Sequence, residues 1–227
     1  MAEFVNSIGQ IRGRYGNVIG YVGANGKNYC KGTALLRKSG GESEKRRSVA
    51  FGTVVARKGW MMNVIRVGFP GSDGYPKGFR GFTSANVPGA VAVEAINPEK
   101  EVSPRKKAPR EFRGCIDYGK LRVAAGALAV PSVGVNVDAG NREIVFTHRG
   151  ASLESVDCFL DDKVYGAFLF EPECVCRVME LGTRGETFEK SMGIPEDVDP
   201  DRLVVYVFAT NANGRRASDS VCLHGGM

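Results

Sequence analysis

Residues 203–214 read LVVYVFATNANG, and the interpretation of this stretch decides the fold. From Leu203 to Ala209 every side chain is apolar or aromatic, with valine dominating. A run this short, rich in β-branched and aromatic residues, reads as a buried strand. Asn213-Gly214 then supplies turn chemistry, because both residues tolerate positive φ. A more polar strand is expected to return from it as far as Leu223.

Working outward, the same signature recurs through the C-terminal half. Val133, Val135 and Val137 alternate before Asp138-Ala139-Gly140-Asn141, and Ile144 to Thr147 forms the return strand. Val164 to Phe170 is a strongly apolar run that stops before Pro172. Cys174 to Leu181 and Glu186 to Met192 flank Gly182-Thr183-Arg184-Gly185, which reads as a further hairpin. Six or seven short strands separated by turns, in about 110 residues, predict an antiparallel β-sandwich of Ig-like type.

The alternation Leu203-x-Val205-x-Val207-x-Ala209-x-Asn211-x-x-Gly214 resembles the last strand pair of fibronectin type III-like domains. Those domains usually carry Tyr where Leu203 stands, so the resemblance does not extend to their corner hydrogen bond. It implies a sandwich and no particular ligand.

The N-terminal half reads differently. Asn17 to Val22 and Lys27 to Lys31 flank Ala24-Asn25-Gly26, a hairpin with little apolar surface (Val18, Tyr21, Val22, Tyr29) and many glycines, hence weak alone. Phe51, Val54, Val55, Met62 and Ile65 fall at helical spacing, with Glu42 and Glu44 near the start, and predict one helix over 42–66, broken near Gly59. Residues 68–90 read as loop. Residues 97–113, NPEKEVSPRKKAPREFR, have three prolines and many charges, the composition of a linker or long exposed loop. The predicted organisation is a basic hairpin-helix region (1–96), a charged linker (97–113) and an Ig-like sandwich (114–227). The fold class is mainly β, or α+β when the helix is counted.

The net charge of +6 hides an asymmetry: residues 1–115 hold 20 Lys and Arg against 8 Asp and Glu, and residues 116–227 hold 11 against 17. The basic half suits a polyanionic or acidic partner, and the two halves suit each other, within one molecule or head to tail between copies. Basic clusters fall at Lys45-Arg46-Arg47, Arg57-Lys58 and Arg105-Lys106-Lys107, with Arg110 beyond. Tyr15, Tyr21, Tyr29 and Trp60 are candidate stacking surfaces for nucleic acid. The competing interpretation of the same residues is a solvated helix face and a charged loop. No run approaches a membrane span, and the start shows no secretion signal. Synthesis in the cytoplasm, with the six cysteines as reduced thiols, is therefore expected.

No constellation of catalytic residues appears. Gly20 to Lys27, GYVGANGK, has five residues between its outer glycines and Asn28 in place of the magnesium-binding hydroxyl, so a hairpin turn accounts for it better than a phosphate loop. Cys174 and Cys176 would share one face of a strand but lack companion ligands for zinc. Asp197-x-Asp199-x-Asp201 lacks the glycine and the bidentate glutamate of a calcium loop. The two histidines, His148 and His224, pair with no evident nucleophile, and His148 reads as an exposed residue at a strand end. Asp161-Asp162 reads as part of a turn. The expectation is no enzyme, no cofactor and no metal.

Several segments together, Gly13 to Ile19 (GRYGNVI), Gly26-Lys27-Asn28-Tyr29, Ile65 to Phe69 (IRVGF), Ile116-Asp117-Tyr118 and Ala209 to Ser220 (ATNANGRRASDS), resemble an uncharacterised protein family abundant in gut Bacteroidetes and their mobile elements. The order covers nearly the whole chain. That family usually has a Gln- and Ala-rich helix where this chain has the glycine-interrupted residues 44–58, and the resemblance carries no catalytic residue with it. The resulting expectation is a non-enzymatic structural or interaction protein, a homo-oligomer or one component of a multi-copy, phage-type particle. The alternative is a nucleic-acid-binding protein using the basic half.

Overall fold

Strand β12 (Val204–Thr210) is buried along its whole length, and the rest of the larger unit is arranged around it. The computed structural model describes residues 2–3, 12–33, 41–96 and 111–225, which divide into two compact units, Met1–Glu42 and Ser43–Met227.

In the larger unit β12 lies between β9 (Lys163–Phe170) and β13 (Val221–His224), and β10 (Val175–Thr183) completes a four-stranded antiparallel sheet in the order β10-β9-β12-β13. A second sheet, order β11-β8-β7, is built from β7 (Val133–Asp138), β8 (Glu143–His148) and β11 (Phe188–Gly193). Alternate residues of a strand point to opposite faces. Leu203, Val205 and Val207 therefore meet Ile144, Phe146 and Met192 of the second sheet across the sandwich core. Val204, Tyr206 and Phe208 face the other way, into a core shared with Met61, Val64, Ile65, Phe69 and Phe82 of the helical layer. A strand covered on both faces needs apolar residues at every position, which explains why LVVYVFA does not alternate. The two sheets approach closely at Gly166, where an added Cβ would lie 2.7 Å from the Phe146 ring.

The mainly β, Ig-like architecture is as the sequence predicts, but several elements differ. The stretches 174–181 and 186–192 are not a hairpin: β10 pairs with β9, whereas β11 pairs with β8 in the other sheet. Among the described residues the predicted helix is two, α1 (Glu42–Val55) and α2 (Lys58–Gly68), and a further helix, α3 (Phe79–Asn86), follows. The break falls at Ala56-Arg57, just before Gly59, and α2 buries Met61, Val64, Ile65 and Gly68 at helical spacing. Helix α3 lies inside the stretch expected to be loop.

The predicted boundary near residue 114 also moves. Strands β5 (Val91–Ala95) and β6 (Phe112–Ile116) pair antiparallel, Ala95 opposite Phe112, so residues 97–110 connect two paired strands of one unit. Those connecting residues lie outside the described ones. Beyond β6, residues 117–132 run as a strap whose Leu121, Val123, Ala124 and Ala125 enter the helix-facing core. Asn86 holds the strap by donating to Phe82 O and Arg122 O at 2.8 and 2.9 Å and accepting from Arg122 N at 2.8 Å. From the other side Val123 N donates to Ser220 Oγ at 2.9 Å and Gly126 N to Asp219 Oδ1 at 3.3 Å. The polar run Ala209 to Ser220 thus shapes the β12–β13 turn and anchors the strap.

The smaller unit contains a four-stranded antiparallel sheet, order β1-β4-β3-β2, from β1 (Ala2–Glu3), β2 (Gly13–Tyr15), β3 (Val18–Val22) and β4 (Asn28–Gly32). The expected β3–β4 hairpin is present, with Gly26 at φ 77° in its turn. The phosphate-loop look-alike is this turn.

Candidate interaction surfaces

Of the predicted basic patch, Lys45, Arg46 and Arg57 have partners within the fold. On α1, Lys45 Nζ pairs with Glu111 Oε2 at 2.8 Å. Arg46 donates to Val93 O at 3.0 Å and lies over the Phe112 ring at 4.8 Å, clamping the helix to the β5–β6 pair. Arg57 is half-buried, donates to Thr53 O at 3.1 Å and pairs with Glu171. Burial opposes its charge, but Glu171 outweighs this and leaves the guanidinium above its ordinary pKa. Lys58 is exposed, with its ammonium 5.2 Å from the Phe79 ring, and Arg47 is exposed. Arg105, Lys106, Lys107 and Arg110 lie outside the described residues.

The N-terminal sheet presents two faces. Directly opposed residues of an antiparallel pair project to the same side. Tyr21 opposite Tyr29, and Ile19 opposite Lys31 and Arg14, therefore share one face. There the two tyrosine rings stack at 5.8 Å and Lys31 Nζ lies 5.8 Å from the Tyr21 ring. The other face carries Tyr15 opposite Val18, and Gly20 opposite Cys30. Tyr15 is 60% exposed and Val18 41%. Residues 12–33 hold four basic side chains (Arg12, Arg14, Lys27, Lys31) and no acidic one. Of them only Gly20 is buried, so among the described residues this sheet has no apolar core of its own.

The β8–β9 connection, residues 149–162, forms a second surface, unforeseen from the sequence. Leu153 is 82% exposed and Val156 87%, with Phe159 and Val130 also exposed. The loop is nonetheless ordered by its own polar groups. Ser155 N donates to Cys158 O at 2.8 Å, Ser155 Oγ to Asp157 Oδ1 at 2.6 Å, and Leu160 N to Glu154 Oε1 at 3.0 Å. Ala129 N donates to Asp157 O at 2.8 Å, which brings Val130 alongside. The bond from Ser155 also holds the Asp157 carboxyl below the usual carboxylate range. Spacing gave no warning of this surface, because Leu153 and Val156 stand where a core position would be assumed.

Groups with chemical potential are occupied by structure. His148 is buried, contrary to its expected exposure, and its Nδ1 and Nε2 lie 2.7 and 3.0 Å from Ser132 O and Arg184 O. It borders a cleft of about 610 Å3 with Thr147, Thr187 and Glu189, but both ring nitrogens face backbone carbonyls. Asp162 is buried against Arg184 while Asp161 is exposed, so the two carboxylates do not act together. Cys174 and Cys176 do not share a strand face: Cys174 is exposed in the turn before β10 at φ 53°, and Cys176 packs on the helix-facing core. Asp199 accepts from Asp201 N at 3.1 Å at the start of a 3-10 turn. Among the described residues no cluster of three His, Cys, Asp or Glu could hold a metal ion, and no helix is long and apolar enough to cross a membrane. Comparison with protein-family models, curated proteins and solved structures gives no match.

Proposed function

We propose that this is a non-enzymatic structural or interaction protein that works as a multi-copy assembly of its own chain. The observation that carries this reading is the N-terminal sheet, where residues 12–33, which form three of its four strands, bury no apolar side chain. A unit of this size cannot hide enough surface to be stable alone, and needs a covering partner. The chain supplies a complementary partner itself, because residues 116–227 are as a whole acidic and residues 1–115 basic. Opposite charge fixes which surfaces meet, and apolar contact holds them. The test is the solution mass of the full chain by light scattering after nuclease treatment, at low and high salt. A defined multiple of the chain mass is expected, and a strict monomer at high concentration overturns the reading.

A second reading has one specific observation in its favour, the tyrosine pair flanked by Arg14 and Lys31 on one sheet face. Stacked aromatics beside cations suit single-stranded nucleic acid. It predicts salt-dependent retention of single-stranded DNA or RNA that Arg14→Glu/Lys31→Glu abolishes; unchanged retention ends it.

A further inference from the structure

His148 ends β8, the middle strand of the second sheet, and stands opposite Val133 of β7 and Phe188 of β11. Directly opposed residues project to one side. The imidazole therefore lies on the face that carries Val133 into the sandwich core, where it is buried and meets the Phe188 ring at 5.1 Å. Its Nδ1 is 2.7 Å from Ser132 O and its Nε2 is 3.0 Å from Arg184 O. Both partners are carbonyl oxygens, which only accept. A neutral imidazole has one N–H and one lone pair, so it satisfies one carbonyl and turns the lone pair on the other; the imidazolium donates to both. The two carbonyls are not equivalent, because Arg184 O also accepts from Ala151 N at 2.7 Å. A single remaining proton therefore belongs on Nδ1, toward Ser132, and the contact that fails is the one to Arg184.

The charged groups around the ring are Arg149, next on the chain, Glu189 of β11 on the same cleft, and Arg184 and Glu186 in the turn after β10. The Arg184 guanidinium is paired with Asp162, and the Glu186 carboxylate accepts from Thr183 N at 2.9 Å. Three carboxylates thus stand against two guanidiniums, and this balance does not oppose a positive ring. Burial works against the charge, and two charge-assisted hydrogen bonds work for it.

We infer that His148 is a proton-operated latch. Protonated, it ties the start of β7 to the turn after β10; deprotonated, it keeps Ser132 and releases the turn. Imidazole is the side chain suited to this, because its charge ordinarily changes between about pH 5 and about pH 8. Arg184 O is shared with Ala151 N, and the Arg184 side chain holds Asp162 and Ala129 O, so releasing the turn loosens both ends of the exposed 149–162 loop. The latch is independent of the assembly reading above.

His148 and His224 are the two histidines of the chain, so His224→Gln leaves a single imidazole to observe. The test is nitrogen-15 NMR of this full-length variant, in solution or by magic-angle spinning if it is a large assembly, from about pH 5 to about pH 8. At the acid end Nδ1 and Nε2 are both expected to carry protons, and at the alkaline end only Nδ1. The backbone amide signals of Ala151 and Gly185, which flank the shared carbonyl, are expected to move with the same midpoint as the ring. His148→Gln in the same chain is expected to abolish that movement, and a movement that persists there overturns the inference. A ring that keeps one state across the range overturns it, as does a neutral form protonated on Nε2. Ring titration that leaves Ala151 and Gly185 unmoved also overturns it. These ring and amide readings come from a chain that keeps His148, so they decide the matter even if His148→Gln fails to fold.

Discussion

Arg184 Nε lies 3.0 Å from Asp162 Oδ2, and both side chains are almost wholly removed from water. The pair ties the turn before β9 to the turn after β10, and Arg184 also donates to Ala129 O. Phe159 N donates to the same carboxylate oxygen at 3.1 Å, while Asp162 Oδ1 is buried without a hydrogen-bond partner. A buried pair of this kind does not have to add net stability, because desolvating both ions costs as much as their attraction returns. Removing one partner is a different matter.

Asp162→Ala should therefore destabilise the fold by about 3–5 kcal/mol, since it strands a buried guanidinium. Asp162→Leu combined with Arg184→Met should cost clearly less than either change alone. Urea unfolding of the two single variants and the double checks this. Additive losses would mean that the two groups do not act as a pair.

Asn86 bridges α3 to the strap through two hydrogen bonds with Arg122 and a third within α3 to Phe82 O, with no access to water. Asn86→Ala should cost about 1–3 kcal/mol, because the amide and carbonyl of Arg122 lose their partner. Asn86→Asp should also destabilise, since a carboxylate can accept from Arg122 N but cannot donate to the two carbonyls. Amide exchange should show the strap opening before the sandwich does.

At Gly166 the two sheets approach closely, with the Phe146 ring as the opposing surface. Gly166→Ala is expected to lose about 1–3 kcal/mol by overpacking. Phe146→Leu creates room opposite, so the double variant should be less destabilised than the sum of the single ones. Thermal unfolding of the three variants reads the coupling directly.

The sandwich was legible because a strand's period and its turn residues are local properties. Val133 to Thr147 and Leu203 to Leu223 need only nearest-neighbour chemistry to be recognised as hairpins. The pairing of 174–192 was not legible, because Gly182 to Gly185 looks the same whether it returns a strand to its neighbour or carries it to the other sheet. Arg184 in that turn pairs with Asp162, which lies 22 residues earlier and far from any local turn signal. Helix α3 was hidden by its length of eight residues and by the glycines at its start and middle. The basic clusters were visible as charges, but Arg46 and Arg57 turned out to be fixed by Val93, Phe112, Thr53 and Glu171. Exposed apolar side chains leave no trace in a sequence, so Leu153 and Val156 could be found only in three dimensions.

Cys176 gives a pH dependence with a defined sign. It packs on the helix-facing core, and burial pushes its thiol from 9.0 up to about 12. In the unfolded chain the thiol ionises near its ordinary value, whereas the folded chain keeps the proton. Between about pH 9 and pH 12 the unfolded state therefore binds fewer protons, and stability falls as pH rises, by up to about 1.4 kcal/mol per unit for this one group. Below pH 9 the contribution is fully present and constant. Burial also raises Tyr118 and Tyr206, which add to the alkaline loss, so the signal is the difference between wild type and Cys176→Ala. Urea midpoints from pH 7 to 10.5 should run parallel below pH 9 and converge above it. A parallel course throughout would mean that the thiol is accessible in the fold. A thiol-reactive probe at pH 8 offers a second check, since Cys174 is exposed and should label in the native protein while Cys176 labels only on unfolding.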